Sequence, residues 1–141
     1  MFGIRSVALF AARLILGIIF IAHGWQKLHT NGISNVEKGF DAMGIPAPGL
    51  AAQYATWVEF IGGILLILGL LLPLVSLLLI LDMIGAIIYA HWDAGFWNAD
   101  GGYELPLALI AGLLAVGIAQ AGGAAADHYV FRRRNRNAVV D

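Results

Sequence analysis

Four apolar runs joined by short polar connections make up most of this chain. The first, about residues 5–28, ends in a polar stretch, Ala22-His23-Gly24-Trp25-Gln26-Lys27-Leu28. The second and third, about 50–72 and 74–91, are divided only by Pro73, and the fourth covers about 103–121. A helix rising about 1.5 Å per residue needs roughly 20 apolar residues to cross the hydrocarbon of a bilayer, so each run predicts one transmembrane helix. Without Pro73 and the preceding Gly69, runs two and three would be one stretch too long for a single crossing. Proline cannot donate a helical hydrogen bond and disfavours helix in the residue before it, so a tight helical hairpin is expected at Leu72-Pro73.

The connections carry their own signals. Within residues 29–49, Ser34-Asn35-Val36-Glu37 fits a capping box. Val36, Phe40 and Met43 then share one helical face, and Gly44 with Pro46 stops the turn. A short amphipathic helix in this outer loop is expected, on the membrane surface or capping the bundle. Residues 92–102 are aromatic and acidic, with Trp92, Phe96 and Trp97 suited to a membrane interface. Pro106 falls in the first turn of run four, where proline is tolerated. Gly122-Gly123 ends that run, and a basic tail follows over 128–141.

Composition sharpens this picture. Of 141 residues 60% are hydrophobic and 12% charged, and the mean hydropathy is +0.83; that leaves too little polar surface for a water-soluble domain. A net charge of −1 offers no field for nucleic acid. The absence of cysteine excludes disulfides, thiolate chemistry and cysteine-bound clusters. Run one reads as a membrane helix rather than a secretory signal, because Arg13 interrupts it and no small-residue cleavage site follows. The expected fold is all-α, an integral membrane four-helix bundle forming one domain over 1–141. Four spans put Arg5 and the arginines of Arg132-Arg133-Arg134-Asn135-Arg136 on one side, while the opposite loops hold Lys27 and Lys38 but no arginine, near Glu37, Asp41, Asp93 and Asp100. Positive residues favour the cytoplasmic face, so both termini are expected there, in a bacterial inner membrane.

Ionisable residues inside the runs carry the candidate chemistry, because a charge near the bilayer centre costs on the order of 2.5–3.5 kcal/mol and normally finds a partner. Arg13 lies roughly 15 Å below His23 and Asp82 roughly 13 Å below His91 by helical rise, so Arg13 and Asp82 are expected to form a structural ion pair. Arg13, Gly17, Gly24 and Lys27 fall within one arc of helix one, with His23 at its edge. The glycines of that arc allow close helix approach. Asp82 and His91 are nine residues apart, on opposite faces of an ideal helix; helix three must distort for both to reach one site. Glu59 needs Lys27, His23, Arg13 or a proton. Glu104, at the mouth of run four, suits a helix N-terminus. Haem ligation by His23 and His91 is sterically conceivable but has no attachment motif, and no spacing points to a metal site.

In order, Arg13-x3-Gly17-x6-Gly24-x2-Lys27-Leu28, Glu59-x2-Gly62-Gly63-x5-Gly69, Met83 through His91 with Gly95-Phe96, and Glu104 resemble the DoxX family of small four-helix bacterial membrane proteins, as does Gly122-Gly123-x3-Asp127. Leu72-Pro73 and Ala124-Ala125-Ala126 depart from the pattern. The resemblance implies an inner-membrane protein tied to redox or stress physiology, with Arg13, Lys27, Glu59, His91 and Glu104 as the family's polar positions. The leading expectation is a redox-associated subunit, such as the membrane subunit of a quinone-linked oxidoreductase, binding a quinone or similar small apolar molecule near the outer end of the bundle. Lys27 and His23 would hydrogen-bond a carbonyl, Glu59 would exchange a proton, and Arg13, Trp25, His91, Trp97 and Glu104 would complete the binding site. Two alternatives stay open: a non-catalytic anchor recruiting soluble redox enzymes through the arginine tail, and a small-solute or proton carrier. Ala108, Gly112 and Gly117 leave a homodimer open.

Overall fold

The structure, a computed structural model, describes residues 3–119. The end of run four, Gly122-Gly123, Asp127 and the basic tail lie outside the described residues. Five helices follow one another: α1 (Ile4–Asn31), α2 (Ile33–Ala42), α3 (Pro48–Leu68), α4 (Leu72–Ala94) and α5 (Glu104–Ala119). Among the described residues the secondary structure is entirely helical. Helices α1, α3 and α4 are long and apolar enough to cross a membrane, and α5 is a shorter apolar helix. The long helices are apolar all round: Ile15 and Ile18 on α1, Ile61 and Ile64 on α3, and Leu77 and Leu81 on α4 face outward. Water would not tolerate that surface, and lipid tails do.

The breaks between helices have local causes. Gly32 has φ 79°, and its carbonyl accepts the amides of Asn35 and Val36, so α2 begins there. No side chain caps that end. The expected Ser34–Glu37 capping box is therefore not formed, because the helix has already started before Ser34. Helix α2 closes at Gly44 (φ 77°), with the Ile45 amide reaching back to Phe40 O at 3.1 Å. Helix α3 ends similarly at Gly69 (φ 73°), with Leu70 bonded to Leu65 O. The hairpin thus turns at Gly69–Leu71 rather than at Leu72-Pro73, and Pro73 sits in the first turn of α4, where its missing N–H costs nothing.

Helices α1, α3, α4 and α5 form a closed ring of neighbours in which α1 and α5 also touch. Leu16, Phe20, Leu66, Leu72, Leu79 and Leu113 fill its centre. The α1–α3 crossing is close: a Cβ on Gly17 would stand 2.7 Å from Gly63 O, and one on Gly24 would stand 2.5 Å from Phe60 N. Backbone meets backbone along this seam, the close packing that small residues permit between membrane helices. Helix α2 packs across one end of α3, with Val36 buried.

Candidate functional site

Helix α1 delivers Lys27 to its place in two steps. The glycine seam holds α1 against α3 as far as Gly24. Lys27, three residues on, shares the face of Gly24 and so points at α3, just inside a π-helical turn over Gln26–Asn31. Lys27 Nζ lies 2.6 Å from Glu59 Oε2, with side-chain exposures of 20% and 5%. Across from this pair α4 supplies Asp82, whose carboxyl lies against that of Glu59 and within the field of Lys27. Asp82 Oδ2 is buried without a hydrogen-bond partner. Two carboxyls thus share one cation.

A second π-helical turn, Ile87–His91, ends the regular part of α4. Nine residues of ideal helix would put Asp82 and His91 on opposite faces; the wider turn advances less per residue and brings the His91 ring round to the wall that includes Asp82. His91 Nδ1 is 2.7 Å from Gly101 O. A carbonyl only accepts, so Nδ1 carries the proton and Nε2 is the nitrogen left for other chemistry. The loop holding Gly101 is itself well tied: Tyr103 and Glu104 amides bond to Gly95 O and Phe96 O, each at 2.9 Å, and Tyr103 stacks on Trp92 at 5.4 Å between ring centres.

These groups head a cavity of about 310 Å³ whose walls are otherwise mainly apolar, with Tyr54, Tyr89, Phe40 and Met43 among them. Phe40 lies on α2 and Met43 just beyond its end, so the amphipathic helix covers one side of the cavity. Tyr54 is fixed by donating its hydroxyl to Leu78 O at 2.6 Å. The volume is at the small end of what ligand pockets occupy, enough for a ring and its polar substituents. Among the described residues, no three His, Cys, Asp or Glu side chains gather to hold a metal ion.

The structure therefore brings together Lys27, Glu59, Asp82 and His91, and leaves the other candidates elsewhere. His23 is exposed on the outer side of α1, away from the pair formed by Lys27. Trp25 stacks on His29 at 4.8 Å and leans on Phe60. Trp97 is 64% exposed and meets Phe96 edge-on. Glu104 accepts the backbone N–H of Asn98 through Oε2 at 3.2 Å, so it organises the loop rather than the cavity. The cavity walls come from Tyr54, Tyr89, Phe40 and Met43 instead of the tryptophans.

The expected Arg13–Asp82 ion pair is not formed. Arg13 is completely buried, donates from Nη1 to Leu66 O at 3.0 Å and Ile67 O at 3.3 Å, and lies 5.5 Å from the Phe10 ring centre. These carbonyls are at the C-terminal end of α3, where acceptors lack helical partners and the helix dipole is negative. The depth argument failed because it set His23 and His91 level. Instead Gly24 is level with Phe60, so Arg13, eleven residues back, lies about 16 Å from the level of Glu59 and Asp82.

Comparison with known proteins agrees with this architecture. Residues 8–92, more than half of the chain, match the DoxX family. The chain is 37% identical over 99 residues to CatD of Bacillus subtilis, an oxidoreductase by name, covering 70% of this chain and 71% of that one. It is 30% identical over 112 residues to the membrane protein Rv3486 of Mycobacterium tuberculosis, covering 72% and 68%. With the inner membrane protein YphA of Escherichia coli it shares 32% identity over 91 residues, covering 63% and 64%. No solved structure matches it. Apolar membrane helices in this order, a glycine-lined first crossing and a family match spanning the helices that build the site make this chain a member of the DoxX family of membrane proteins.

Proposed function

We propose that this protein is a redox- or stress-associated subunit of the bacterial inner membrane, with both termini cytoplasmic, that holds a small ring of the quinone class in the cavity between α2, α3 and α4. The observation that carries this reading is the Lys27–Glu59 pair at 2.6 Å, placed with Asp82 and His91 at the polar end of an otherwise largely apolar cavity. Apolar walls with a few convergent polar groups are what a ring with hydrogen-bonding substituents requires. Lys27 orients an oxygen of the ligand. Glu59 and Asp82 hold one proton between them, which balances the single positive charge of Lys27 and makes the cluster neutral in the membrane. Electrons pass between the ring and a partner or second cofactor, since the chain has no cysteine of its own. The name of CatD as an oxidoreductase favours the same direction.

The test is to purify the wild type and Glu59→Gln from the native membrane in mild detergent and identify co-purifying small molecules by mass spectrometry. A near-stoichiometric quinone-class ring in the wild type, lost in the variant, is expected. Absence of any such ring from both proteins, combined with no binding of added ring compounds, would remove this reading.

A further inference from the structure

A second cavity, a vestibule, adjoins the first at the end of the bundle covered by α2. It has a volume of about 460 Å³, and its rim carries Gln26, Thr30, Asn31 and Asn35, all exposed. Asn35 and Gly39 lie one turn apart, on the face of α2 turned to it. Three residues, Lys27, Phe40 and Met43, line both cavities. Phe40 and Met43 are apolar and form a partition, so the lysine is the group that joins the two. Its side chain is 20% exposed against 5% for Glu59, so water that reaches the buried pair reaches it at Lys27. Amides, a hydroxyl and an ammonium around a space of this size meet what a chain of waters requires, room and several polar partners.

The other directions are closed or apolar. Toward the Arg13 end, Phe20, Leu66 and Leu79 are buried, and Leu79 packs on Gly62, three residues beyond Glu59. Toward lipid, the exposed rim of the first cavity is Tyr54, Leu81 and Tyr89, and Tyr54 is tied to Leu78 O. The charged and titratable groups sharing that cavity with Lys27 are Glu59 and Tyr54 from α3 and Asp82, Tyr89 and His91 from α4. His91 has its Nδ1 bonded to Gly101 O, and α2 brings no charged side chain to either cavity. Resting on the shared proton assigned above, we infer that the vestibule is the inlet through which the Lys27–Glu59–Asp82 cluster exchanges protons with water at the α2 end of the bundle. Protons that a bound ring takes up or gives off then cross at that end, while the ring itself meets the bilayer on the Leu81 side.

Infrared spectroscopy of the full chain in nanodiscs tests this. The shared proton gives a carboxylic C=O band, identified as the one that Glu59→Gln or Asp82→Asn alters, and that band shifts as deuterium from heavy water replaces the proton. A Cβ on Gly39 meets nothing within 4 Å, so Gly39→Trp sets an indole in open space on the vestibule face, and Asn35→Trp does the same one turn earlier. Both are expected to slow the shift about tenfold or more, because exchange then waits on local opening. Leu81→Trp, on the lipid-facing rim, is expected to leave the rate unchanged. Exchange as fast as wild type in both vestibule variants, or slowed as much by Leu81→Trp, would overturn the inference and leave the cavity assignment standing. Absence of any carboxylic band that either carboxyl substitution alters would remove the shared proton itself, and this inference with it.

Discussion

Removing the lysine from the buried cluster should cost far more than removing its carboxylate partner. Lys27 Nζ and Glu59 Oε2 are 2.6 Å apart, which at an effective dielectric of about 20 corresponds to roughly 6 kcal/mol of gross attraction. Desolvation cancels much of this, and breaking a buried pair by deleting one partner typically costs about 3–5 kcal/mol because the other charge is stranded. The two deletions are not equivalent here. Lys27→Met leaves Glu59 and Asp82 facing each other with no lysine or arginine beside them among the described residues; even with proton uptake, about 3 kcal/mol is expected. Glu59→Gln leaves Lys27 with Asp82, one cation for one carboxyl, and keeps a hydrogen-bonding amide, so a loss below about 1 kcal/mol is expected. Reversible unfolding in mixed micelles by SDS titration reads both. If Glu59→Gln destabilises as much as Lys27→Met, Asp82 does not share the lysine and the three-group description of the cluster is wrong.

Other consequences can be checked as directly. Gly63→Ala would set a Cβ 2.7 Å from Gly17 O, and a loss of about 1–3 kcal/mol in the same titration is expected. Gly39→Ala on α2 has no neighbour within 4 Å and should gain about 0.5–1 kcal/mol from helix propensity. Deleting Ala90 would convert the π-helical turn of α4 to ordinary helix yet leave His91 close to its present direction, because eight steps of about 100° turn nearly as far as nine that include a wide turn; circular dichroism should stay helical and ring binding should persist. Truncating Phe40 to Ala opens the side of the cavity covered by α2, and faster ligand release by stopped-flow dilution is expected with little change in melting temperature.

The membrane architecture was legible because period and length alone separate bilayer-spanning helices from everything else. Gly44, Pro46 and Gly69 marked real breaks since each supplies a backbone geometry, or removes a donor, in a way neighbours cannot imitate. The Lys27–Glu59 pair was within reach of the same reading, as Lys27 was one of few cations able to meet Glu59. Asp82 was assigned the wrong partner because the competing partners of Arg13 are main-chain carbonyls, which have no signature in the order of side chains. Phe40 and Met43 could be placed on one face, but the element they face depends on how α2 lies over α3. Tyr89, seven residues after Asp82, shares its face by helical spacing and could have been found; Tyr54 looks like any aromatic on a lipid-facing helix. The turn that brings His91 to the site is a hydrogen-bonding choice of the backbone, and it appeared in the sequence only as a conflict between two residues nine apart.

Arg13 also bears on how the chain enters the membrane. Its acceptors, Leu66 O and Ile67 O, are 53 and 54 residues further along. While α3 is still inside the ribosome, the first helix meets the bilayer with a guanidinium that its own turns cannot satisfy, since the backbone carbonyls of a continuous helix are already engaged. Insertion of α1 is therefore provisional until the end of α3 emerges and supplies those carbonyls, and the two helices become committed together. Chains truncated near residue 45 and released from the ribosome should remain extractable or exposed to quality-control proteases, and Arg13→Leu should make them stable at that length. The charge that locks the finished bundle is, during synthesis, a checkpoint on its order of assembly.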